Sequence, residues 1–298
     1  MVASTEDGRE PRPPCIGVAL GGGGTAGLSA VGVLHELRRA GIVPNVVAGT
    51  SAGAGVGAAF AAGELELFEH LMTGLTSRQA LAYFDPTWPR QGLFQAQKAI
   101  ELIRPAIGEQ IEDLPRPFAA VAADLDSGEE VILDHGPVAT AVRASMAIPG
   151  IFTPQLWNGR WLVDGGLVEP VPVGAARALG ADFVIAVTTL PLADTLLAGR
   201  RPSRARTANE CSEDSAHAEA GGILDILAKS SRLIQSQIAR ARFRLDPPDF
   251  IVQPEAGQIG LFEFHRAREA IESGRAAARE ALPELSEALR NRGLAPAG

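Results

Sequence analysis

The sequence predicts an α/β fold with a mostly parallel central sheet flanked by helices. Three observations carry that expectation. Segments of strand character alternate with segments of helical spacing along the chain, and no internal repeat interrupts them. Two of the strand-to-helix passages are rich in glycine, the residue that tight turns of this kind require.

Residues 15–20 read as a first buried strand, and the run Gly21-Gly22-Gly23-Gly24-Thr25-Ala26-Gly27 follows it. Over 28–40 the apolar residues Leu28, Val31, Leu34 and Leu37 recur at helical spacing, with Gly41 placed to cap the end. Val46-Val47-Ala48 is β-prone, and small residues over 54–60 open a buried helix. Helical patterns at 64–73 and 95–107 are separated by the aromatic loop Tyr83-Phe84-Asp85-Pro86-Thr87-Trp88-Pro89. Residues 117–123 and 130–133 pair as strands across Asp126-Ser127-Gly128, and Asn158-Gly159 marks a second hairpin turn. A short helix over 171–179, a buried strand over 183–187, helices over 223–242 and 263–282 and a strand at 250–252 complete the reading. Residues 193–221 are poor in apolar side chains and are expected to form a mobile loop.

Composition narrows the function classes. A chain of 298 residues, 46% hydrophobic and 21% charged, has the balance of a soluble globular protein with a sizeable core. A net charge of −8 argues against nucleic acid as a partner, since phosphate binding needs a basic face. Cys15 and Cys211 are too far apart in sequence for a disulfide framework or a metal knuckle, which suggests a reducing, cytoplasmic setting. Residues 1–14 are polar and proline-rich, lack the apolar core of a secretion signal and read as a disordered tail. Residues 40–63 carry no charge, but their glycine and alanine content fits a buried strand–turn–helix better than a membrane span.

The pentapeptide Gly49-Thr50-Ser51-Ala52-Gly53 sits between the second strand and the small-residue helix. That context fits a nucleophile elbow, a strained turn that exposes a serine hydroxyl. The glycine run offers two readings. Gly22 to Gly27 fits the G-x-G-x-x-G dinucleotide fingerprint, yet the second strand ends in Gly49-Thr50-Ser51 where an acid should hold the ribose. The alternative, preferred because a serine stands there, is an oxyanion hole built from converging backbone N–H groups. None of the five histidines has a setting that suggests catalysis, although a Ser…Asp…His order would draw on His217 or His265. Asp164, after the apolar strand Leu162-Val163 and before Gly165-Gly166, is the better candidate base.

In order and spacing, Gly22 to Gly27, Gly49 to Gly53 and Asp164-Gly165-Gly166 together resemble the patatin-like phospholipases, in particular short bacterial members. The stretches Arg143-Ala144-Ser145-Met146-Ala147-Ile148-Pro149-Gly150-Ile151-Phe152 and Val163 to Pro172 strengthen the resemblance, which spans roughly 15–190. It implies a single patatin-like domain over 15–298, with a core at 15–190 and C-terminal helices at 222–292. It also implies a Ser–Asp dyad without histidine, metal or cofactor, acting on carboxyl esters of lipids or lysolipids. Ser51 would be the nucleophile, Asp164 the proton acceptor, and the loop around Gly22, Gly23, Gly24, Thr25 and Gly27 the oxyanion cradle. One departure stands out: the family usually carries Arg or Lys before the last glycine of this loop, and here the residue is Ala26. That departure motivates the rival reading of a lipid-binding protein with weak or no turnover; a triad hydrolase using Asp164 with His265 is a separate rival. Tyr83, Phe84, Trp88 and Phe94 are candidates for an interfacial lid, with packing of a helical subdomain as the alternative. The run of four arginines at 200–206 reads as a solvated loop, with peripheral membrane contact the other possibility.

Overall fold

In a computed structural model of the protein, residues 14–83, 85, 92–192 and 222–294 are described. Strand β1 (Ile16–Leu20) leads through a short 3₁₀ turn into α1 (Ser29–Arg39), and β2 (Val46–Thr50) leads directly into α2 (Ala52–Ala62). Helices α3 (Leu65–Thr73), α4 (Ser77–Ala82) and α5 (Gln97–Ile107) precede the hairpin of β3 (Phe118–Asp124) and β4 (Glu130–Leu133). Then come α6 (Val138–Ser145), a second hairpin of β5 (Gln155–Trp157) and β6 (Arg160–Asp164), α7 (Val173–Ala178) and β7 (Phe183–Val187). Helix α8 (Ile223–Leu245), β8 (Phe250–Val252) and α9 (Ala267–Asn291) complete the described chain. The expected tail, apart from Pro14, the expected loop at 193–221 and the arginine run at 200–206 lie outside the described residues.

The class is α/β, as expected. The sheet runs β5-β6-β3-β2-β1-β7-β8, with β4 also paired to β3. Its central strands are parallel: β1 with β2 and β7, β2 with β3, and β7 with β8. Strands β4 and β6 join β3 in the antiparallel sense. Burial on both faces follows, since parallel strands need helices above and below. On one face α1, α2, α3, α5, α6 and α9 cover side chains such as Val18, Leu20 and Ile185. On the other, α7 and α8 cover Ala19, Ala48 and Val184. Both residues of the Asn158-Gly159 turn have positive φ, 48° and 81°, the backbone that a two-residue hairpin demands.

Three departures from the sequence expectation have physical causes. Helix α4 was not anticipated, being only Ser77–Ala82. Helix α6 was hidden because its segment is short and its last turn lies inside the Arg143–Phe152 stretch. Helix α9 begins later than 263 and runs past Pro283, although a proline inside a helix removes a hydrogen bond. Leu285 and Leu289 beyond it are fully buried, and their burial at about 1.5–3 kcal/mol each offsets the loss.

Register decides where the sheet can host chemistry. Strand β3 pairs with β2 at Ala120 and Val121 on one edge and with β4 at the same residues on the other. Ala122 pairs with Val131 of β4 and also with Asp164 of β6, so β6 must lie on the edge that β2 has just vacated. Thr50 sits opposite Val121 and Asp164 opposite Ala122. The end of β6 therefore abuts the end of β2, at the turn occupied by Ser51.

On the first of the two sheet faces α9 packs on α1 at backbone distance. A Cβ on Gly32 would lie 2.0 Å from Ile271 O, and one on Gly274 1.9 Å from Ser29 O. No side chain larger than hydrogen fits at either position.

Candidate active site

Ser51 links β2 to α2 and has φ 57° and ψ −123°, a conformation that non-glycine residues rarely adopt. Such strain costs about 1–3 kcal/mol and persists only where the surroundings impose it. Here they do. The Ser51 N–H donates to Ser145 Oγ at 2.8 Å, and that hydroxyl donates to Val121 O at 2.6 Å. Thr50 Oγ1 donates to Glu169 O at 2.8 Å, tying the turn to the segment beyond Asp164. Gly53 lets the helix pass the first strand: a Cβ there would stand 2.2 Å from Leu20 O. Gly49 and Ala52 are buried beside it, and the first turn of α2 presents its positive end to Ser51.

Asp164 closes β6 and is 2% exposed. Its Oδ1 accepts from Gly166 N at 2.7 Å, and its own N–H donates to Ala147 O at 2.9 Å. Gly165 is required for this approach, because its Cβ would lie 2.2 Å from Val121 O. Burial raises the carboxyl pKa from 3.8 to about 6, opposed by the nearby Ser51 hydroxyl and the Gly166 N–H, which favour the charge. Ser51 and Asp164 make no hydrogen bond of ordinary geometry, and Oδ2 has no partner among the described residues. A buried acceptor beside a serine hydroxyl, with its pKa close to neutrality, has the properties of a general base.

The glycine loop arches over the same point. Gly22 abuts Ser51, its Cβ position being 3.0 Å from Ser51 Cβ, while its N–H donates to Pro170 O at 3.3 Å. The N–H groups of Gly23 and Gly24 have no partner among the described residues. Thr25 anchors the loop by donating from both N and Oγ1 to Leu261 O at 3.1 Å. Gly27 packs on Ala52, and Ala26 is fully buried.

Among the described residues, two cavities open at Ser51. The first encloses about 830 Å³ including its mouth and is almost wholly apolar, with Leu28, Phe68, Met72, Ile100, Ile103 and Phe152 among its walls. Tyr83 lines it too, and Phe94 packs against Phe152; Phe84 and Trp88 lie outside the described residues. The second, of about 990 Å³, is the more polar of the two and lies between the glycine loop, α8 and residues 257–263. Among the described residues no histidine lines either cavity. His265 is exposed on the 3₁₀ turn before α9, and His217 lies outside the described residues.

Sequence reasoning missed three contributors. Ser145 was quoted without a role, Arg143 clamps Gln95 O and Thr153 through its buried guanidinium, and Leu261 holds the glycine loop from the far end of the chain. The first two lay in a recognised stretch; nothing local marked the third.

Residues 18–177 match the family model described as patatin-like phospholipase. An uncharacterized NTE family protein of Mycobacterium tuberculosis is 30% identical, over 90% of this chain and 91% of its own length. Lysophospholipase NTE1 of Phaeosphaeria nodorum is 28% identical over 91% of this chain, which spans 18% of that protein. The structure of VipD from Legionella pneumophila aligns over 95% of this chain and 69% of its own, with 13% identity and a TM-score of 0.46. With a family model spanning more than half of the sequence and a relative similar along nearly its whole length, the chain belongs to the patatin-like phospholipase family.

Proposed function

We propose that the protein is a serine acyl hydrolase that cleaves carboxyl esters of lipids or lysolipids. The observation that carries this reading is the meeting of a strained serine, a buried carboxyl of raised pKa and an apolar cavity at one strand end. Above about pH 6 Asp164 is ionised and accepts the Ser51 proton as Oγ attacks the ester carbonyl. The oxyanion moves toward the N–H groups of Gly23 and Gly24; one such donor is worth about 2.7–4 kcal/mol elsewhere. Protonated Asp164 returns the proton to the departing alkoxide, leaving an acyl-serine. Water attacks that ester, its proton goes to Asp164 and then to Ser51 Oγ, and the fatty acid leaves.

The apolar cavity receives the acyl chain, gaining about 0.8 kcal/mol per buried CH₂. One such cavity beside Ser51 suits a monoacyl lipid, in keeping with a relative named lysophospholipase. The deciding experiment is labelling with a fluorophosphonate, wild type beside Ser51→Ala, followed by hydrolysis of p-nitrophenyl esters. Both signals are expected in the wild type and in neither case in the variant. A folded wild type that does not label would replace this reading with that of a lipid-binding protein without turnover.

A further inference from the structure

The second cavity at Ser51 mixes apolar with charged walls and so has its own chemistry, distinct from that of the apolar cavity. Its charged side chains are Lys229, Arg232 and Glu263. Glu263 is neutralised locally, since Oε2 accepts from Gly260 N at 2.8 Å and from Arg266 Nη1 at 2.7 Å. Arg232 is not. Its Nη1 donates to Gly257 O at 2.8 Å and its Nη2 to Thr189 O at 2.6 Å, and no carboxylate lies within 4.0 Å of it among the described residues.

A half-buried guanidinium held only by neutral carbonyls is a cation without a counter-charge. Burial presses its pKa down, yet arginine remains charged at neutral pH. Two of its five N–H donors are spent on carbonyls, so the planar fork is oriented while its remaining donors meet no acceptor among the described residues. That arrangement favours an anion with several acceptor oxygens, which returns what desolvation of the cation costs. Gln235 stands beside it on α8, its side chain packed over Gly166 of the Asp164 turn. Ala26 brings no charge to the loop, so α8 supplies the cations at this cavity.

Resting on the serine-hydrolase reading above, we propose that this cavity is the leaving-group subsite, that it takes the phosphate of a lipid head group, and that Arg232 recognises it. With the acyl chain in the apolar cavity and the ester at Ser51, the alcohol half of the substrate points toward α8. Phosphate-bearing monoacyl lipids are then preferred over uncharged ones with the same acyl chain.

The test compares 1-oleoyl-lysophosphatidylglycerol with 1-oleoylglycerol, using wild type, Arg232→Gln and Arg232→Lys. Wild type is expected to favour the phosphate-bearing ester at least tenfold in kcat/KM. Arg232→Gln is expected to shrink that ratio by about 10- to 100-fold, mainly through KM, the range for one charged hydrogen-bonded contact. Arg232→Lys is expected to keep part of it. In parallel, sn-glycerol 3-phosphate should raise the Tm of Ser51→Ala and leave Ser51→Ala/Arg232→Gln unmoved. Equal losses on both esters in Arg232→Gln would make Arg232 only a strap between α8 and its neighbours, and would overturn the proposal. So would protection by inorganic phosphate together with no preference between the two esters, which marks a free-phosphate site. Turnover that survives in Ser51→Ala refutes the nucleophile instead, and the Tm shifts still decide the anion site.

Discussion

Replacing Asp164 with asparagine removes a titratable group from a position where its charge is poorly tolerated. The carboxyl titrates near pH 6 in the folded chain against 3.8 ordinarily, because it is buried. At about 1.36 kcal/mol for each tenfold change in acidity, ionising it in place costs about 3 kcal/mol of folding free energy. The sign is the reverse of the usual carboxylate. Below pH 3.8 Asp164 becomes protonated in both states and the cost fades; between about pH 4 and 6 the unfolded chain ionises while the folded state resists, and stability is lost until the folded carboxyl ionises in turn. Asparagine keeps an oxygen for the Gly166 N–H and carries no charge, so the variant should gain up to about 3 kcal/mol at pH 8 and almost nothing at pH 4. Urea denaturation of both proteins at the two pH values measures the gap, and ester turnover of the variant should fall to background. A variant no more stable than wild type at pH 8, or more stable by the same margin at both pH values, would refute the assignment of the raised pKa to desolvation.

Other outcomes follow from the same geometry. Ser145→Ala should cost about 1–3 kcal/mol in thermal unfolding by stranding the buried Ser51 N–H, and should lower kcat more than it raises KM. Gly55→Leu should shift preference toward shorter acyl chains, since Gly55 lines the apolar cavity; excluding two methylenes costs about 1.6 kcal/mol, roughly tenfold in the long-to-short ratio of kcat/KM. The pH profile of kcat/KM should rise with an apparent pKa near 6, and His265→Ala should leave both its shape and its height nearly unchanged; a profile that loses its rise in that variant would restore the triad.

Much of this site was readable because its chemistry is local. The elbow needs a small-residue context within a few positions of Ser51, and the sequence holds it there. Asp164 was readable as an acid ending an apolar strand before two glycines, but its meeting with Ser51 depends on β6 taking the edge of β3 that β2 vacates. No spacing rule expresses that exchange. Leu261 and Arg232 were invisible for a related reason: each reaches the site by a contact of more than 40 residues in sequence, from segments whose own patterns are ordinary. The end of α9 was misplaced because the cost of Pro283 is local, whereas the burial of Leu285 and Leu289 that offsets it is tertiary.

The close backbone packing of α1 on α9 at Gly32 and Gly274 also bears on how the protein is made. Helix α1 leaves the glycine loop, and its partner α9 emerges during synthesis only after Ser51 and Asp164, as does Leu261. A nascent chain that has released both Ser51 and Asp164 still lacks the pieces that fix the loop between them. Hydrolytic competence should therefore appear late, when residues near 290 clear the ribosome, rather than when the residues of the family model do. Until then the apolar cavity at Ser51 lacks Leu261, Phe262 and Phe264 from its wall, and the half-made chain leaves apolar side chains uncovered.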